Sequence, residues 1–199
     1  MCFTATMLPI VPLAELTILR RFPSRIYMND GELDLVIGMF ATVRPKTVLE
    51  FGVNVGITAS AILKHLPGIE FYQGIDLAPG GHPTLDSQMS EVPTSLEPPG
   101  WMAVTDERFE LILRPRGSFD LKPKDLLSAD AVFIDGDHSY DAVMNDSALA
   151  YDLTREGGII VWHDYLNPTV EVTQALDDLA ARGHHIQSIE GTWLAFERR

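Results

Sequence analysis

Two short blocks concentrate residue types that bind ligands and move protons. The first is Asp135-Gly136-Asp137-His138-Ser139-Tyr140 and the second is His163-Asp164-Tyr165. An imidazole titrates near neutral pH, so His138 and His163 are the candidate bases. Asp135 or Asp137 can orient either histidine, or hold a metal that lowers the pKa of a hydroxyl. A third block, Val48-Leu49-Glu50-Phe51-Gly52-Val53-Asn54-Val55-Gly56, places two glycines between an apolar run and a helical spacing. Such a turn presents backbone N–H groups and the positive end of a helix dipole to a ligand that must approach closely. Asp76 stands at the end of the next apolar run, where an acid can accept hydrogen bonds from both ribose hydroxyls. A tight turn without a ligand and a capping or solvated aspartate are the alternatives at these two places. For His138 the alternative is a helix cap, and His65, His82, His184 and His185 read as structural or solvent-exposed.

The elements that must position these residues follow from periodicity. Thr47–Phe51 is a β-branched and apolar run bounded by Pro45 and Gly52, the pattern of a strand buried on both faces. Apolar residues at 59, 62, 63 and 66 then predict a helix, ended by Pro67-Gly68. Further strands are expected at 69–77, 109–114, 131–135 and 159–162, with a short helix at 121–127 and a longer one at about 140–156. Ser139 is the predicted cap of that longer helix and Gly157-Gly158 its stop. Asn167 and Pro168 are expected to open the last helix, whose inward stripe is Val172, Ala175, Leu176, Leu179 and Ala180. A hairpin across Glu190-Gly191 closes the chain. Near the start, helices are expected over 12–22 and 32–43, the second capped by Asn29 or Asp30, with Leu33, Val36, Ile37 and Phe40 on one stripe. The stretch 78–108, rich in proline and glycine, reads as an irregular loop, either a lid with Trp101 and Met102 as its apolar foot or an idle connection.

Strand–helix alternation makes the fold class α/β, a Rossmann-like doubly wound sheet. Right-handed crossovers bring the carboxyl ends of its parallel strands to one edge, where ligands bind. Asp76, Asp135 and His163-Asp164 fall there, with Glu50 just inside the end of the first strand. At 199 residues the expected division is a helical cap over 1–44 and one domain over 45–199. A formal charge of −13 disfavours nucleic acid and anionic membrane surfaces as partners. With Cys2 the sole cysteine no intrachain disulfide can form, and a cytoplasmic location is expected. Neither a membrane span nor a secretory signal is expected.

The block from Val48 to Gly56 resembles the first motif of class I S-adenosylmethionine-dependent methyltransferases, an acid followed by G-x-x-x-G. Phe133–Tyr140 and Gly157–Tyr165 are similar to the subgroup containing macrolide-sugar O-methyltransferases and cephalosporin-hydroxylase-like proteins. The resemblance spans roughly residues 30–199. It implies a seven-stranded sheet of order 3-2-1-4-5-7-6 with the last strand antiparallel. It further implies that Gly52, Asn54 and Gly56 lie against the methionine part of S-adenosylmethionine, that Glu50 orients its ammonium group or the loop, and that Asp76 holds the ribose. Adenine contacts are expected from Gly117, Ser118 or Phe119. In the metal-using members Mg2+ or another divalent cation sits beside the methyl group, which here implies Asp135, His163 and Asp164 as ligands. His163 departs from the acid common at that position and fits equally a metal-free site with a histidine base. The implied activity is O-methylation of a hydroxylated small molecule, by a single chain or a homodimer. A protein that binds S-adenosylmethionine or S-adenosylhomocysteine without methyl transfer is the alternative, followed by a nicotinamide oxidoreductase.

Overall fold

The computed structural model describes residues 9–11, 28–29, 31–85, 88 and 98–199. Its centre is strand β2 (Thr47–Phe51), every residue of which is buried. Strand β1 (Ile10–Val11) and helix α1 (Glu32–Val43) precede it. Helix α2 (Ile57–His65), β3 (Phe71–Leu77), β4 (Phe109–Arg114) and β5 (Ala129–Ile134) follow. The chain continues through α3 (Tyr140–Leu153), β6 (Thr154–Trp162), α4 (Val172–Ala181), β7 (Gln187–Ile189) and β8 (Ala195–Arg198).

One sheet runs β1-β7-β8-β6-β5-β2-β3-β4. From β4 to β7 this is the expected seven-stranded order. The two-residue β1 is an addition, paired in parallel with the edge strand β7. Strands β2 to β6 pair in parallel, and β8 runs antiparallel between β6 and β7. Chain order reverses between β2 and β5, which opens a crevice at their carboxyl ends.

Successive residues of the central strands serve opposite faces. Leu49, Phe51, Val132, Ile134, Ile160 and Trp162 pack with α3 and α4. Val48, Ala131, Phe133, Ile159 and Val161 pack with α1 and α2. Helix α1 therefore covers a sheet face and belongs to the main core. The predicted helix over 12–22 lies outside the described residues.

Four local expectations are corrected. Helix α1 starts from Gly31 at φ 85, without a side-chain cap; Asn29 instead bonds Glu32, and Asp30 lies outside the described residues. Residues 121–127 carry no α-helix: a single 3-10 turn at Pro123–Asp125 stands there, after another at Gly117–Asp120. Helix α3 stops at Leu153, because Thr154 turns extended and begins β6 before the glycines are reached. Helix α4 starts after Glu171; Asn167 is drawn back by its amide, which donates to Asp164 Oδ1 at 2.6 Å.

Candidate active site

The glycine turn after β2 is shaped by what lies beside it. Gly52 has φ 84, and a Cβ there would fall 2.2 Å from the backbone oxygen of Asp135. Only glycine allows this approach of β2 to the end of β5. The Asp76 carboxylate then pins the turn: its Oδ2 accepts the N–H groups of Val53 at 2.9 Å and Asn54 at 2.6 Å, and its Oδ1 that of Leu77. Burial raises the Asp76 pKa and these three donors offset part of that, leaving it above its ordinary value. Asn54, at φ 49, sits in the left-handed region that asparagine tolerates, and its carbonyl receives Gly100 N–H at 2.7 Å.

A cavity of about 1070 Å3 opens at this edge. Gly52, Asn54, Asp76, Ser118, Asp135, His138 and Asp164 line it, so most of the sequence-predicted residues meet around one space. The N-terminus of α2 (Ile57 and Thr58) also faces it, which favours an anionic ligand group there. Gly56 is the residue from which α2 starts, at φ 89. The described parts of 78–108 form one wall, through Pro79, Thr84, Gln88 and Pro98. Trp101 and Met102 are exposed, and Ala103 rather than either is the buried foot of that segment. His82 lies exposed on the cavity wall.

Glu50 is a correction. It is buried within β2 and does not line the cavity; strand alternation turns it into the α1–α2 face. Burial pushes its carboxyl well above the usual range, beside the equally buried Tyr72 hydroxyl.

The reactive cluster lies at the ends of β5 and β6. Gln88 Oε1 accepts the His138 backbone N–H at 2.9 Å, and this donor-only partner fixes the amide's orientation. Gln88 Nε2 therefore donates to His138 Nδ1, also at 2.9 Å. The proton of the neutral ring sits on Nε2, facing Asp135 Oδ1 at 3.4 Å and Asp164 Oδ2 at 3.3 Å. Burial lowers the His138 pKa and the two carboxylates raise it, with a net upward shift. Asp137 supports the turn, accepting Thr84 N–H at 2.5 Å and Ser139 N–H at 2.9 Å.

His163 is buried and does not line the cavity. Its Nδ1 lies 3.1 Å from both Asp135 Oδ1 and Asp164 Oδ2, and its Nε2 2.9 Å from Glu32 Oε2. Burial opposes its charge, but Asp135, Asp164 and Glu32 raise its pKa well above the ordinary value. Burial works the other way on Asp135, yet the two histidines bring it down to about 2. His163 is thus corrected twice: with both ring nitrogens bonded to carboxylates it has no lone pair for a proton or a metal. Asp135, His138 and Asp164 each bring one candidate ligand atom within 4.8 Å of the others. The His138 atom in that trio is the protonated Nε2, so these residues as arranged do not fit a divalent cation.

Sequence reasoning missed Glu32, Gln88 and Asp146. Glu32 shares the stripe of Val36 and Phe40 at i+4 and i+8, and Asp146 that of Ala142 and Ala150. That spacing could have placed both acids inward. Asp146 binds Ser118 Oγ, and burial lifts its carboxyl to about 7 against the hydrogen bonds of Ser118 and Asn145. Gln88 carries no periodic signal.

A largely parallel sheet that reverses order beside a glycine turn, with acids at the ends of β3, β5 and β6, defines a class: a Rossmann-like methyltransferase fold. The chain belongs to the methyltransferase domain family, whose model matches residues 49–165. No curated protein sequence matches it. Solved structures share the fold at low identity. Cofactor-bound Rv0187 from MTB is 17% identical, with a TM-score of 0.62 over 87% of this chain and 81% of that one. The O-methyltransferase TomG from Streptomyces achromogenes, involved in tomaymycin synthesis and solved with SAM, is 16% identical, TM-score 0.57, over 86% and 81%. An O-methyltransferase from Bacillus cereus in complex with SAH is 14% identical, TM-score 0.55, over 94% and 86%.

Proposed function

We propose that the protein transfers a methyl group from S-adenosylmethionine to a hydroxyl of a small molecule, working in the cytoplasm. The observation that carries this reading is the meeting of the Asp76-pinned glycine turn and the Asp135–His138–Asp164 cluster in one cavity. When bound, S-adenosylmethionine supplies an already activated methyl on its sulfonium, so the protein's work is placement and proton removal. The turn through Gly52, held against the end of β5, is assigned to the methionine end, and the start of α2 suits its carboxylate. The Asp76 carboxylate is assigned to the ribose and Ser118 to the adenine end. As the hydroxyl oxygen gains the methyl it releases its proton to the Asp135 or Asp164 carboxylate, while His138, its Nδ1 occupied by Gln88, orients the site. His163, a fixed cation beneath them, takes no proton.

The test is calorimetric titration with S-adenosylhomocysteine. Binding is expected; none at hundreds of micromolar (roughly −5 kcal/mol of affinity) overturns the reading. Asp76→Ala should weaken binding by roughly tenfold or more, since it frees the turn. Asp135→Asn should keep binding and reduce turnover of a hydroxylated acceptor by about 100-fold or more. A protein that binds but never transfers, whatever hydroxylated metabolites are screened, belongs instead to the binding-only alternative.

A further inference from the structure

We propose that His163 is a permanent internal imidazolium that supplies, from beneath the cavity, the positive charge a divalent cation would otherwise bring, holding Asp135 and Asp164 in place, so that this chain needs no metal. The inference rests on the methyltransferase reading only for the purpose of the cavity; its geometry and its test are independent of turnover.

An ionised carboxylate is an acceptor only, so each ring nitrogen that faces one must carry a hydrogen. His163 Nδ1 faces two, from Asp135 and Asp164 at 3.1 Å, and Nε2 faces a third, from Glu32 at 2.9 Å. The Glu32 carboxylate is itself fixed by four donors: Trp193 N–H at 2.6 Å, Asn29 N–H, the Asn29 amide and the ring. The His163 side chain is 1% exposed, and the chain of contacts has no gap for a water-bound ion between ring and acids. Three buried carboxylates in such proximity need a compensating cation. The ring supplies it from below, and His138 Nε2 lies 3.4 and 3.3 Å from the same two aspartate oxygens on the cavity side, without a hydrogen bond to either. Asp164 reaches this position only at φ 62, a strained conformation that the bonds to His163 and Asn167 maintain. His163 is therefore a positioning residue: it aims the aspartates and does not touch the reactants.

Long-range 1H–15N spectra of the histidine-labelled wild-type protein read the ring directly. One histidine should show both nitrogens protonated from about pH 6 to pH 8, unchanged by added Mg2+ or Mn2+. Calorimetric titration of Mg2+ or Mn2+ alone into the same protein should give no saturable heat, and chelator should leave its melting temperature unshifted. His163→Asp, which replaces the cation by a fourth carboxylate, should acquire Mn2+ binding and be stabilised by it. A neutral-ring spectrum for every histidine, or wild-type Mn2+ binding abolished by Asp135→Asn, overturns the proposal, as does a His163→Asp variant that folds and binds no Mn2+. Failure of methyl transfer alters none of these readings and bears only on the function proposed above.

Discussion

At the scale of single residues, the site sorts carboxylates by their surroundings. Asp135, between two imidazole rings, is held at about 2, whereas Asp146, buried with only Ser118 and Asn145 as partners, is lifted to about 7 from 3.8. The second shift makes folding pH-dependent in a definite direction. As pH rises above 3.8 the unfolded chain loses this proton first, so the folded state binds more protons and stability falls until about pH 7. Above that the penalty is complete, on the order of 4 kcal/mol for a shift of this size. Asp146→Asn keeps an oxygen to accept the Ser118 hydrogen bond and removes the ionisation. Its stability relative to the parent should be near zero at about pH 4, climb to about pH 7 and then level off. Urea unfolding across that range checks it; a difference that stays flat with pH sinks the assignment.

At the scale of elements, helix α1 is tied to the site by its first residue. Glu32 connects the helix start to His163 at the end of β6 and to Trp193 in the β7–β8 loop. Glu32→Ala leaves a buried imidazolium short of one partner and the backbone N–H groups of Asn29 and Trp193 unmet, for an expected loss of about 3–5 kcal/mol. Glu32→Gln keeps an acceptor but not the charge and should cost less. Denaturant midpoints of the two variants measure the gap, and equal costs would show that charge has no part in the tie. The same helix marks how far sequence reached. Its extent and apolar stripe were legible because 3.6-residue periodicity is a local property. Glu32's role was not, since His163 and Trp193 lie 131 and 161 residues away, beside strands whose register only the folded sheet fixes. The strand ends were legible for a related reason: a doubly buried strand is a continuous apolar run, so the first acid after it marks the edge. That logic found Asp76, Asp135 and Asp164. Glu50, one residue inside its strand as expected, points into a helix-covered face rather than the cavity. The same logic misread His163, whose ring lies beneath the edge. Gln88 could come only from tertiary structure, because the irregular stretch around it has no period to read.

At the scale of the whole molecule, the fold gathers its polar groups into one cavity whose character selects among ligands. The N–H groups of Val53 and Asn54, which would face a pyrophosphate, are spent on Asp76. Asp76, Asp135, Asp137, Asp141, Asp146 and Asp164 all line the space, against Arg116 as the only lysine or arginine among the lining residues. A dinucleotide would bring two phosphate charges into that field, whereas S-adenosylmethionine and its product bring an ammonium group and a ribose. The two cofactor classes should therefore differ in their effect on stability. A ligand that binds only the folded state stabilises it by about 2.7 kcal/mol at one hundred times its dissociation constant. For a domain of this size that corresponds to a rise of about 5–10 °C in melting temperature. S-adenosylhomocysteine should produce such a rise, reduced in Asp76→Ala. Oxidised or reduced nicotinamide dinucleotide at the same concentration should leave the melting temperature where it is. Thermal melts with each ligand measure both arms, and stabilisation by the dinucleotide alone would reassign the cavity to an oxidoreductase.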